Sequence, residues 1–442
     1  LSTIADTFKR FHQYIANTSW IMAEKVVQIL IGLLVTIFVA RYLGPQNYGI
    51  LAYAVSLTAI FSAAGHLGLS GLVVREIVKN PSARAETLGT TLSLKLGGVG
   101  MGFLILCCIA FLSENFKSKE FWVVIIVASS LLFNSSAVFD FWFQAHIQSK
   151  FSTLSKVTAL VLTGIFKVIL VVIASNLLYF AFASVLQAAI TSILLCIFYV
   201  KTSDLSIFDW KSSRNKAKEL VSQGWIIFLG TIFSVIYLKI DQIMLKWLIG
   251  LKEVGIYSVA STISEAWYFV PTAIVTSFFP RLIKLHQSNK EAFNQRLQQI
   301  FDLLFILAFS IVIIVTLFAK PLITLLYGLA YQPSSNILII HIWAAIFIFM
   351  RAAFSRWILI EDALMFSLIT QGAGALVNVG LNFLLIPRYA GVGAAIATLA
   401  SYAMASYGSL LLYKRTRPIF WMMTRSMTSP VRYAYVAIRG RQ

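Results

Sequence analysis

The sequence predicts an all-α polytopic membrane protein, with twelve transmembrane helices in two pseudo-symmetric six-helix bundles around a central cleft. Three observations carry that expectation: a composition too apolar for water, a dozen apolar runs of spanning length, and a motif that recurs in the two halves. The chain is 59% hydrophobic and only 12% charged over 442 residues, with a mean hydropathy of +0.83. Soluble domains carry about 45–50% apolar and about 25% charged residues. The polar surface available here cannot cover a water-facing globule of this size.

A spanning helix needs roughly 20 apolar residues to cross a hydrocarbon core of about 30 Å. The runs are too long for barrel strands, which leaves helices as the way to satisfy the backbone in lipid. Apolar segments fall at about 20–40, 48–69, 87–112, 121–144, 154–174 and 177–200. Six more fall at about 222–247, 255–280, 300–318, 336–358, 363–385 and 391–413. The polar stretch to Asn17 precedes a run too long for a cleavable signal, so the first span is expected to act as its own anchor. The expected organisation is a bundle at 1–200, a Lys- and Ser-rich linker at 201–218, a second bundle at 219–413 and a basic tail at 414–442.

Orientation follows from the basic residues. With the N-terminus cytoplasmic, 24 Lys and Arg fall on the cytoplasmic side and 6 outside, and the other six lie within spans. Cationic loops favour the cytoplasm, so both termini are expected there. The net charge of +19 is then explained by positive-inside loops and anionic lipid, with no nucleic acid required. Arg415, Arg417, Arg425 and Arg432, interleaved with Trp421 and Tyr433, read as an interfacial amphipathic segment. Cys107, Cys108 and Cys196 fall in spans without metal-ligand spacing and are expected as small core residues.

The two halves share a motif at a shift of 206 residues: Gly44, Gly49 and Ile50 recur as Gly250, Gly255 and Ile256. Each copy falls in the outer turn between the first two spans of its half, where glycine permits the φ > 0 conformations a tight turn needs. With an even number of spans per half the repeats are parallel, and transport sites form between such halves.

Several stretches resemble the polysaccharide flippases of the multidrug/oligosaccharidyl-lipid/polysaccharide (MOP) superfamily. They are Val39-Ala40-Arg41-Tyr42-Leu43-Gly44 with Tyr48-Gly49-Ile50-Leu51, and Asp140-Phe141-Trp142-Phe143-Gln144-Ala145. Lys239 to Leu245, Val254 to Ala260, and Ile386 to Thr398 add to them, so the resemblance runs from about 15 to 413. The tail beyond 413 departs from the family pattern. The resemblance implies a Wzx-type flippase that moves an undecaprenyl-pyrophosphate-linked sugar repeat unit from the cytoplasmic to the periplasmic leaflet of a bacterial inner membrane. Alternating access, with proton or sodium antiport, is the implied mechanism. Membrane lipid, a polysaccharide polymerase and a chain-length regulator are the partners it admits, and it implies no cofactor and no metal centre.

Such a cargo joins a polyprenyl chain to a dianionic head, so a hydrated cleft needs cations. Lys25, Lys95, Lys167 and Arg351 are the candidates for that role. Lys25, Gln28, Gly32 and Thr36 share one face of the first span. Lys95 precedes a run of Gly97, Gly98, Gly100 and Gly102 suited to close helix packing, and Lys167 sits well inside the fifth span. Glu265, six residues before a kink expected at Pro271, and Asp241 are the candidate coupling groups, with Gln28 and Asn378 as polar cleft residues. Local pairing of Asp241 with Lys239 or Lys246 is the structural alternative. Asn378, Asn382, Gln371 and Gln187 can hold sugar hydroxyls or join helices.

The competing classes fit less well. A membrane glycosyltransferase or polymerase needs a sizeable catalytic loop, whereas the longest outer loop is about 319–335. No P-loop is present, which excludes a nucleotide-driven pump. A drug/cation antiporter of the same superfamily is the nearest rival, and its cargo calls for an acidic lumen. A flippase for another lipid-linked polysaccharide precursor is the other alternative.

Overall fold

The computed structural model describes residues 2–433, with the side chains of 2–16, 18 and 64 outside the description. Helix makes up 90% of the structure, and no strand occurs among the described residues. Two compact units are present, Leu1–Val235 and Ile236–Gln442. The dividing point falls inside a long helix, downstream of the 201–218 stretch.

The first unit contains α1 (Ser2–His66), α2 (Ser70–Lys79), α3 (Arg84–Ser113), α4 (Lys119–Ser129), α5 (Ala137–Ala145), α6 (Ser149–Val172), α7 (Leu177–Thr202) and most of α8 (Arg214–Leu248). A 3-10 stretch, Ser130–Ser136, joins α4 to α5. The short α2 is amphipathic, burying Val73 and Ile77 in a core with Leu88, Phe141, Trp142 and Tyr199. The partly buried indole of Trp210 donates to Tyr199 Oη at 3.1 Å and ties the segment before α8 onto that core.

The second unit contains α9 (Leu251–Glu265), α10 (Phe269–Ser288), α11 (Lys290–Tyr327), α12 (Ser334–His341), α13 (Ala344–Ile360), α14 (Leu364–Ser406) and α15 (Arg417–Met427). The expected kink near Pro271 is a full break at 266–268, which leaves Glu265 at a helix end. Glu253, in the first turn of α9, accepts the backbone N–H of Gly391 at 2.9 Å and holds the break in α14 at Ala390. In the tail, α15 buries Ile419 and Met423 while Trp421 is exposed. Gln298 of α11 donates to Met422 O and Ser426 Oγ, and Arg432 pairs with Asp302 at 2.5 Å.

Nine helical stretches among the described residues are long and apolar enough to cross a membrane. The first, Ser19–Ala63, is broken at Gly44 (φ 69°, ψ 170°), and the last, Leu364–Leu411, at Ala390. Gly250 (φ 133°, ψ 172°) separates α8 from α9 with the same extended ψ as Gly44. The matched glycines of the two halves therefore make the same kind of turn, and nothing crowds either Cβ position, so backbone conformation is the constraint. The glycine run of α3 behaves otherwise than expected. Gly97 and Gly100 face open space, and Gly102 alone of these three approaches a neighbour, at Phe61 of α1. Of the cysteines, Cys108 is exposed and Cys107 and Cys196 are half-buried, so none is the core residue that composition suggested.

Candidate functional site

Each unit holds a hydrogen-bonded cluster built on a buried carboxylate, Glu24 in the first and Asp241 in the second. In the first unit, α1 and α6 pack side by side: Asn17 lies against Ser149, Glu24 against Thr153 and Lys156, and Val35 against Gly164. Glu24 is buried to 4% exposure and accepts from Gln28 at 3.1 Å. Lys156 lies 3.6 Å from Glu24 and 2.9 Å from Asp140 of α5, bridging two carboxylates. A buried charge is tolerable when it is paired and hydrogen-bonded, and Lys156 meets that condition twice.

Lys95 does not. It is fully buried in α3, its Nζ has no hydrogen-bond partner, and it sits 5.6 Å from the centre of the Phe141 ring. Lys25 is exposed and makes a single long contact, 3.4 Å, to Gln28. Lys167 is half-buried and lies in the last two turns of α6 rather than well inside the span, because that helix ends at Val172. Lys25 and Lys167 thus stand toward opposite ends of the α1–α6 pair.

In the second unit Asp241 is the centre of a buried oxygen-rich cluster. It accepts from Tyr257 Oη and from Asn382 Nδ2, each at 2.6 Å, and from Thr398 Oγ1. Asn382 also donates to Asn378 Oδ1 at 3.1 Å, and Asn378 to Ser401 Oγ at 3.4 Å. These residues come from α8, α9 and both halves of the broken α14. Asp241 is 1% exposed, and Asn378 and Asn382 are fully buried. The carbonyl oxygen of Asn382 has no donor, leaving one acceptor open within the cluster.

Local pairing of Asp241 with Lys239 is not what forms. Lys239 instead pairs with Glu265 at 3.0 Å, with both side chains about a quarter exposed. His341, which the sequence placed in the tenth span, meets Ser264 Oγ at 2.9 Å. Arg351 is held by neutral groups, donating to Ser367 Oγ, Thr370 Oγ1 and Ala405 O at 3.0–3.3 Å. Lys25, Lys95, Lys167 and Arg351 form no ion pair among the described residues, whereas Lys156 and Lys239 do. Lys156, at the edge of the run beginning near 154, is one of the 24 basic residues counted as cytoplasmic from the sequence, and Glu24 is not singled out there. The four-residue spacing of Glu24 and Gln28 on one helical face was the available signal.

The family of polysaccharide biosynthesis proteins matches residues 14–286. A Shigella flexneri protein carrying the name O-antigen transporter is 24% identical over 340 residues, 73% of this chain and 79% of its own length. The capsular polysaccharide biosynthesis protein CapF of Staphylococcus aureus is 22% identical over 424 residues, 91% of this chain and 99% of its own. Among solved structures, the lipid II flippase MurJ superposes with a TM-score of 0.71 at 14% identity, over 95% of this chain and 93% of that one. A multidrug resistance MATE family transporter of the MOP superfamily gives 0.67 at 16% identity, over 91% and 95%. Likeness at these identities speaks to the fold. The match across residues 14–286 speaks to descent, and with it the chain belongs to the polysaccharide biosynthesis protein family.

Proposed function

We propose that this multi-pass membrane protein is a polysaccharide flippase that carries an undecaprenyl-pyrophosphate-linked oligosaccharide from the cytoplasmic to the periplasmic leaflet of a bacterial inner membrane. The observation that carries the reading is the unpaired state of Lys25, Lys95, Lys167 and Arg351. Ionisable groups at membrane depth are costly and mark a substrate path. Four cations without acid partners leave net positive charge for a dianionic head. A cationic drug would meet repulsion from the same groups.

Lys25 and Lys167, at different depths, give the pyrophosphate successive stations. Arg351, whose fork is already oriented by Ser367, Thr370 and Ala405, supplies a cation from the second unit. Lys95, enclosed against Phe141, meets the cargo only when its surroundings open. Both termini are cytoplasmic on this reading, and access alternates between the two sides.

Coupling belongs at Asp241 rather than Glu265. Glu265 is already neutralised by Lys239. Asp241 lies among the hydroxyls of Tyr257 and Thr398 and the amide of Asn382; its carboxylate and the unfilled Asn382 carbonyl are oxygen ligands of the kind a hard cation such as sodium takes. A proton on Asp241 would serve in the same place.

A strain lacking the gene and complemented with Lys25→Gln, Lys167→Gln or Asp241→Asn tests this. A hydrogen bond to a charged group contributes roughly 1.5–3 kcal/mol, so each variant should cut surface polysaccharide about ten-fold or more. The lipid-linked precursor should accumulate while the protein stays at normal level in the membrane. Normal polysaccharide in both lysine variants would overturn the cationic path, and normal polysaccharide in Asp241→Asn would overturn the coupling site.

A further inference from the structure

A second polar site lies wholly within the first unit, and none of the charged residues discussed above lines it. It is an open cavity of about 400 Å³ between the second half of α1, the 3-10 stretch Ser130–Ser136 and α7. Its construction follows from local geometry. On α1, Thr58 and Ser62 are four apart and share a face. On α7, Ser184, Gln187 and Thr191 fall at successive helical turns on one face. Between them the chain tightens to three residues per turn, and in a 3-10 helix positions i and i+3 eclipse. Ser130, Phe133 and Ser136 are therefore stacked along a single edge facing the cavity, where an α-helix would have wound them apart.

The lining bears no charged side chain. Ser130, Ser136 and Thr191 donate to the backbone carbonyls of Val127, Phe133 and Gln187, and part of its remaining hydrogen-bonding capacity is left open. Thr58 is 7% exposed, and its Oγ1 has no partner. Gln187 has its carbonyl oxygen 3.4 Å from Thr163 Oγ1, which leaves its amide N–H groups to donate. Asn134 donates to Ser62 Oγ at 2.9 Å and keeps its carbonyl as an acceptor. Ser192 meanwhile fixes the edge of the 3-10 stretch, donating to Phe133 O at 2.9 Å and lying 2.8 Å from Ser136 Oγ. The Gln187 amide and the Asn134 carbonyl would find no partners in lipid, so the concavity is one that holds water or a polar ligand.

We infer that this cavity is a binding site for a neutral sugar ring of the cargo, separate from the cationic path. It rests on the flippase reading for its source of ligand. The absence of charge disfavours a phosphate and an organic cation alike. Paired donors and acceptors match vicinal hydroxyls, Phe133 in the lining adds apolar surface for one side of a ring, and the volume lies in the range of about 300–1,000 Å³ of small-ligand sites. The 3-10 stretch sets the spacing of its hydroxyls, and Thr58 and Gln187 set its specificity.

The test uses full-length protein in lipid nanodiscs and saturation-transfer NMR, with a panel of neutral methyl glycosides (glucoside, galactoside and N-acetylglucosaminide) and inorganic pyrophosphate as competitor. At least one glycoside should bind, unaffected by pyrophosphate. Thr58→Val and Gln187→Leu should weaken it about ten-fold, one lost hydrogen bond at 1.4 kcal/mol per decade, and Thr58→Ser should retain it. Binding by no glycoside, binding unchanged in both Thr58→Val and Gln187→Leu, or displacement by pyrophosphate would overturn the assignment. The flippase reading is judged separately, by lipid-linked precursor in the deletion strain. Glycoside binding without precursor accumulation would sink that reading and leave the cavity a sugar site, while accumulation without glycoside binding would do the reverse.

Discussion

At the level of single residues, the sequence exposes cost more readily than partnership. Lys25, Lys95, Lys167 and Arg351 stand out in the sequence because a cation in an apolar run is expensive wherever it points. The partners of Asp241, a candidate named from the sequence, do not, since it finds Asn382 and Thr398 at separations of 141 and 157 residues. Lys156 was misplaced for a different reason. The apolar run begins near 154, but the helix begins at Ser149, so the residue lies two turns inside and meets Asp140. Glu361 offers a titration outside the spans. It sits in the turn between α13 and α14, 2.9 Å from His286 Nε2 and 2.5 Å from Arg415. Burial opposes its charge, yet the hydrogen bonds from His286 and Arg415 outweigh burial and hold the carboxyl below the ordinary glutamate range. A depressed folded-state pKa gives stability that is present above the unfolded value of about 4.3 and lost as pH falls through the folded one. Glu361→Gln should lower the thermal midpoint near neutrality and flatten its decline on acidification. An acid decline as steep as the parent's would place that stability elsewhere.

At the level of elements, hydropathy locates helices well and their interruptions poorly. The glycine turns at Gly44 and Gly250 were legible because a repeated glycine between apolar runs has one physical explanation, a backbone region closed to other residues. The 3-10 stretch at Ser130–Ser136 and the break at Ala390 had no such marker, for the first depends on packing against α7 and the second on Glu253 reaching Gly391. The glycine run of α3 shows the converse error, a packing motif with mostly open space beside it. These cases separate by substitution. Positive φ with extended ψ is a region populated essentially by glycine and costs other residues of order 1–3 kcal/mol. Gly44→Ala and Gly250→Ala should each lower the unfolding midpoint measured in detergent, and together they should add, as distant sites do. Gly97→Ala sits in an unobstructed helical position and should be neutral or stabilising by up to about 1 kcal/mol. A loss at Gly97 equal to that at Gly44 would show that packing, not backbone conformation, holds these glycines.

For the whole molecule the decisive question is parity. Nine uninterrupted crossings, the number of long apolar helices among the described residues, would place the two termini on opposite sides of the membrane. The breaks change that number. A straight helix over the 45 residues of Ser19–Ala63 would be roughly 68 Å long, more than twice the hydrocarbon core. Its break at Gly44 gives the chain a place to return, and Ala390 does the same in the 48 residues of Leu364–Leu411. The α9 and α10 helices, 15 and 20 residues, are each marginal for a span, but across their break at 266–268 they would make one interrupted crossing. On this count we propose twelve crossings, whose even parity would return both termini to one side. Basic residues then choose which side: 24 against 6 in favour of the cytoplasm, with the transfer of Lys156 from the cytoplasmic count into a helix leaving the excess intact. Reporter fusions discriminate between the two counts. A fusion at Lys117, between α3 and α4, should read periplasmic, and one at Lys211, before α8, cytoplasmic. A further fusion after Tyr413 should agree with Lys211. A periplasmic reading there would restore odd parity, and identical readings at Lys117 and Lys211 would remove the six-span first half.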